Sequence, residues 1–229
     1  MIHAMKNKNI WLLTILSFLV CVLHAVMLNT QYTFYVYTSI LKIALFILCP
    51  IIYFKIVKDG KSKDILPILP IKGDKKNIRF SFVLGLCVFA SIFVLYFILH
   101  SFLDSEMIVG ALAKNGITAD NFVFVFIYIV FINAALEEIF FRGFVFMTLY
   151  RMNLKRYAHI YSSFLFAFYH VAVLNNALVP GIFIFCIAGL AVAGLIFNIM
   201  AAKCKSITGS LIVHISANLA LNLIVVFHY

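Results

Sequence analysis

The sequence predicts an all-α membrane protein, a polytopic bundle of about seven transmembrane helices. Three observations predict it. Of the 229 residues, 65% are apolar or aromatic. Only 11% are charged, against roughly 25% in an ordinary soluble domain. Apolar runs of about 18 residues or more recur along the chain, longer than a soluble core helix needs. These features exclude a soluble globular enzyme, a disordered chain and a secreted disulfide scaffold. They also exclude a membrane β-barrel, which reads as short alternating segments.

The first apolar segment, 10–28, follows Lys6 and Lys8 and so resembles a signal peptide. Its length, and the lack of a small-residue cleavage site after it, mark it as a retained helix. The second, 34–54, carries one cation, Lys42, which either snorkels or faces a cavity. The loop 55–79 follows, with Gly60, Pro67, Pro70 and Gly73; it is the one sizeable soluble piece. The third segment is 80–102. The fourth, 122–149, is longer than a bilayer requires, so it tilts or extends into the cytosol. The fifth, sixth and seventh are 158–174, 181–202 and 207–227. Each segment is long enough, or nearly so, for a hydrocarbon core of about 30 Å at about 1.5 Å per residue. Helices are forced there, because backbone exposed to lipid must satisfy its own hydrogen bonds. In the sixth, Ala188, Gly189, Ala191, Ala193 and Gly194 permit close helix approach. The whole, 1–229, reads as one membrane domain, with the motif-bearing helices within 120–228.

The net charge is +10, and its placement explains it. Fifteen of the 18 Lys and Arg residues lie before the first segment, in loop 55–79, or in the loops after the fourth and sixth segments. The alternate loops hold only Lys114. By the positive-inside rule the N-terminus is cytoplasmic and the C-terminus is outside. The basic residues then meet anionic lipid headgroups, and no nucleic-acid partner is implied. Cys21, Cys49, Cys87, Cys186 and Cys204 show no CxxC and no paired spacing, so they read as packing residues.

Three ionisable residues, Glu137, Glu138 and Arg142, stand inside the fourth apolar segment. Each costs about 2.5–3.5 kcal/mol at the centre of a membrane helix, so pairing or a polar cavity is required. Glu138 and Arg142 are spaced to pair as i and i+4. Glu137 is rotated by about 100° from that face. It is either part of a buried clamp or a general base. His170 lies in the fifth segment, and His214 and Asn218 share one face of the seventh. Counted from the cytoplasmic helix ends, these polar residues of three helices fall in one slab about 10–18 Å deep. His3, His24, His100, His159 and His228 lie near helix ends or tails and read as interfacial.

Glu-Glu-x-x-x-Arg at Glu137, Glu138 and Arg142, Phe-x-x-x-His at Phe166 and His170, and His-x-x-x-Asn at His214 and Asn218 form an ordered set. Thr208, Gly209 and Ser210 precede the last motif. The set resembles the CPBP intramembrane proteases, the Abi family, which groups CAAX prenyl proteases with bacteriocin-processing and self-immunity proteins. The resemblance covers roughly 120–225. It implies hydrolysis of a peptide bond in a membrane-associated protein or peptide. Glu137 and His170 would activate a water, His214 and Asn218 would bind the oxyanion, and Glu138 with Arg142 would hold the helix. Phe166 would be a packing residue. The family has been labelled a metalloprotease, and zinc would take Glu137, His170 and His214. The reading preferred here has no cofactor, since no HExxH occurs and no further carboxylate stands ready behind each imidazole. Two rivals stand beside the protease: a transporter, because intramembrane Glu, His and Arg also line ion paths, and a non-catalytic membrane regulator or immunity protein. Abundant Lys, Ile, Phe and Asn point to an AT-rich bacterial genome and so to a bacterial plasma membrane.

Overall fold

The computed structural model describes residues 2–28, 35–57, 73–174 and 178–228. Among them every regular element is helical. The helices are α1 (Ile2–Leu28), α2 (Tyr35–Val57), α3 (Lys75–Leu99), α4 (Ser105–Lys114), α5 (Phe122–Arg151), α6 (Lys155–Leu174), α7 (Pro180–Cys204) and α8 (Thr208–Val226). All except α4 contain a stretch long and apolar enough to cross a membrane. The chain is therefore a helical integral membrane protein, with seven such helices among the described residues.

The helix ends follow from local chemistry. Asp74 caps α3 by accepting from the Lys76 N–H at 2.9 Å, and Asp104 caps α4 from Met107 at 3.0 Å, each replacing a missing intrahelical acceptor. Pro180 opens α7, where its absent N–H costs nothing. Lys205, in the left-handed region at φ 50°, ends α7 and turns the chain into α8.

Several boundaries differ from the apolar runs. The first helix begins at Ile2, well before the run at 10. Lys55 belongs to α2, and Lys75, Lys76 and Arg79 belong to α3. Charged ends let a helix continue past the hydrocarbon without disturbing its hydrogen bonds. The remainder of loop 55–79, with Gly60, Pro67 and Pro70, lies outside the described residues apart from 73–74. The helix α4, between the third and fourth spans, has no counterpart in the apolar runs.

The spans associate through small and polar contacts. Helix α3 packs along α8, α6 along α7, and α1 beside both α2 and α6. A Cβ on Gly194 would come within 3.0 Å of Ser163 Cα, so glycine is what lets α7 approach α6. A Cβ on Gly189 would meet nothing within 4 Å, so only part of that small-residue stripe is used. Asn198 of α7 donates to Ser163 Oγ at 3.0 Å and to the His159 carbonyl at 3.2 Å, and accepts from Ser162 Oγ at 3.2 Å. Tyr161 of α6 donates to the Thr14 carbonyl of α1 at 2.7 Å. Phe46, Phe140, Phe141, Phe144 and Phe166 are buried and pack around α5. Leu86, Phe124, Ile160 and Ile184 face outward, as lipid-facing residues do.

Candidate active site

The fourth span is not a uniform α-helix. Two π-helical stretches, Tyr128–Asn133 and Glu138–Phe146, flank the short α-helical turn Ala134–Glu137. Such wide turns are rare and occur frequently at functional sites. Here they bracket the residues that lipid would most penalise. Glu137 is 2% exposed, and Glu138 and Arg142 are fully buried.

The two carboxylates have separate surroundings. Glu138 Oε1 lies 3.2 Å from Arg142 Nη1, the i,i+4 pair that the spacing suggests. The same oxygen lies 2.9 Å from His214 Nδ1. The Arg142 guanidinium carbon sits 4.3 Å from the centre of the Phe166 ring and 4.8 Å from that of Phe197. The Arg142 guanidinium thus lies between one carboxylate oxygen and two aromatic rings, whose faces suit a planar cation. Phe197 also stacks on His214, with ring centres 4.9 Å apart.

Glu137 divides its oxygens. Oε1 accepts from Lys42 Nζ of α2 at 2.6 Å and from Asn133 Nδ2 at 2.9 Å. Lys42 Nζ also donates to Asn133 Oδ1. Oε2 is buried and, among the described residues, has no hydrogen-bond partner. It faces His214 Nε2 at 3.5 Å and His170 Nε2 at 3.9 Å. Residues from α2, α5, α6 and α8 therefore meet at one carboxylate.

The far side of each imidazole fixes its tautomer. His170 Nδ1 lies 2.7 Å from the Phe166 carbonyl, which accepts only, so Nδ1 carries a proton. His214 Nδ1 faces the Glu138 carboxylate, which is paired with Arg142, so Nδ1 is protonated there as well. In neutral form both rings present an Nε2 lone pair toward Glu137 Oε2. Three acceptors facing one another repel unless a proton, a water's hydrogens or a cation lies between them.

The structure brings together Glu137, His170 and His214, with Glu138 and Arg142 directly behind. Asn218 lies one turn beyond His214 on α8, where its Nδ2 donates to the Ile129 carbonyl at 3.1 Å. That bond uses one N–H of Asn218 and leaves the other. Phe166 packs on His170, His214 and Arg142. Sequence reasoning missed Lys42 and Asn133 as partners of Glu137. His24, read as interfacial, is instead buried against the Tyr169 ring, with ring centres 5.0 Å apart.

Zinc would call on Glu137, His170 and His214. The donor types suit it, and each Nδ1 has the backing partner that spacing alone did not reveal. Yet Lys42 already gives Glu137 a cation at 2.6 Å. Among the described residues, no group of three or more His, Cys, Asp or Glu is arranged to hold a metal ion. Lys42 occupies Oε1 alone, however, and Glu137 Oε2, with His214 Nε2 and His170 Nε2 at 3.5 and 3.9 Å from it, are the atoms that would hold such an ion, which would polarise a water there.

A buried carboxylate with one oxygen tied and the other turned to two imidazoles, inside a lipid-facing helical bundle, has the groups that water-driven hydrolysis within a membrane requires. Residues 119–220 match the family described as Type II CAAX prenyl endopeptidase Rce1-like. The match supports the CPBP family, and with it a membrane endopeptidase in general terms. No curated protein and no solved structure matches the chain.

Proposed function

We propose that the protein is an intramembrane endopeptidase that hydrolyses a peptide bond of a membrane-associated protein or peptide with a water activated by Glu137 and His170. The observation that carries this reading is the buried Glu137 Oε2, which has no hydrogen-bond partner among the described residues and is faced by two imidazole Nε2 atoms. A water between them donates to Oε2 and to His170 Nε2, which leaves an oxygen lone pair free for attack. As the water oxygen bonds to the carbonyl carbon, its proton passes to Glu137 Oε2. The same proton then goes to the leaving nitrogen as the C–N bond breaks.

The oxyanion needs donors. Asn218 offers its second N–H. His214, whose Nδ1–H is accepted by Glu138, would donate from Nε2 once that nitrogen carries a proton. Glu138 and Arg142 thus hold both the register of α5 and the orientation of His214. Glu137→Ala or His170→Ala is expected to abolish cleavage while the protein remains folded. Full activity in either variant contradicts the assignment.

The scheme uses no cofactor. Elemental analysis of purified, active protein tests that: stoichiometric zinc contradicts it. The substrate would enter from the membrane or the cytoplasmic side, and the Lys-, Ile-, Phe- and Asn-rich composition, typical of an AT-rich bacterial genome, favours a peptide or protein in a bacterial plasma membrane over a prenylated one. Processing of a bacteriocin-like peptide falls within the same chemistry.

A further inference from the structure

Lys42 lies outside the 119–220 segment that matches the family, on a helix that carries none of the three motifs. It is 5% exposed. A buried ammonium costs several kcal/mol unless it is paired, so its place beside Glu137 is a structural commitment. Its Nζ stands 4.9 Å and 5.5 Å from the centres of the Tyr169 and Phe46 rings, which hold the stem against α2 and α6. Nζ and Asn133 Nδ2 both donate to Glu137 Oε1, and Nζ also donates to Asn133 Oδ1. The result is a closed triangle of three side chains around Oε1, while Oε2 has no hydrogen-bond partner among the described residues.

We propose that Lys42 is a positioning residue for the hydrolysis. It ties Glu137 Oε1 and so dedicates Oε2 to the water. Helix α2 is thereby part of the active site. Without the ammonium the carboxylate turns about its terminal bond, and the oxygen facing His170 and His214 is no longer fixed. This inference rests on the protease reading above, and its test separates the two.

Peptides that differ between membranes of cells making the wild-type protein and cells making Glu137→Ala define the cleavage products. If the two sets are identical, the protease reading fails at that point, before Lys42 is touched. Where they differ, Lys42→Met keeps the stem and removes the charge. Its products are expected to fall by roughly 10–100-fold, the scale of a misplaced catalytic group. With a synthetic peptide spanning one such cleavage site and purified full-length protein, the loss is expected in kcat, with KM within about twofold. Lys42→Arg, which keeps the cation, is expected to recover part of the turnover. Lys42→Met lowers the midpoint of thermal unfolding by stranding Glu137. Adding Glu137→Gln removes the stranded charge and is expected to restore the midpoint, but not activity. Wild-type turnover in folded Lys42→Met, or a loss confined to KM, or thermal effects that simply add in the double variant, would overturn the proposal.

Discussion

Glu137 and Glu138 are neighbours in sequence with different tasks. Glu138 places one oxygen on both Arg142 and His214, and the whole group is sealed between the Phe166 and Phe197 rings. Removing one partner of a buried ion pair strands the other, a loss of about 3–5 kcal/mol. Arg142→Met is therefore expected to lower the thermal midpoint in detergent sharply; an unchanged midpoint contradicts the pairing. The spacing of Glu138 and Arg142 made this pair legible in the sequence. The Lys42–Glu137 pair was not, because its members are 95 positions apart and no local periodicity links them. One signal was present all the same. Once Glu138 is matched to Arg142, one lone anion and one lone cation remain inside apolar helices, and lipid penalises both until they meet. Asn133, four residues before Glu137 and on the same face, was readable in the same way.

The element scale shows where hydropathy succeeds and where it stops. Seven spans were legible because a helix in lipid needs little beyond length and apolarity. The charged ends of α1, α2 and α3 were not, since helical hydrogen bonding continues after hydropathy falls. The short α4 owes its start to the Asp104 cap rather than to an apolar run. The π-helical stretches of α5 leave no hydropathy signature at all. Helix contacts divide the small residues of α7 into used and unused. Gly194→Ala is expected to destabilise by about 1–3 kcal/mol, because its new methyl group presses on Ser163 backbone. Gly189→Ala meets nothing and is expected to be neutral or to gain up to about 1 kcal/mol from helix propensity. Thermal unfolding of the two variants side by side checks both expectations; equal effects contradict the packing.

For the whole molecule, the reading moves from a motif-bearing C-terminal unit to one that also depends on its first helices. The matched segment 119–220 supplies Glu137, Glu138, Arg142, His170, His214 and Asn218. Helix α2 supplies the cation on Glu137, and α1 closes the site's flank through His24 against Tyr169 and through Tyr161 on Thr14. A chain with only 11% charged residues still carries a net charge of +10, and its cations divide along the same line. Most cations sit at helix ends and read as topology, whereas Lys42 and Arg142 sit in the interior, each on its own glutamate. The central claim is that this interior set cleaves peptide bonds through Glu137. Its most direct test is the peptide content of membranes from cells producing wild-type protein against cells producing equal amounts of folded Glu137→Ala. The account predicts discrete peptides present with the wild type and absent with the variant, each carrying either a newly formed terminal carboxylate or the matching new amino terminus. Identical peptide content in the two membranes would contradict it.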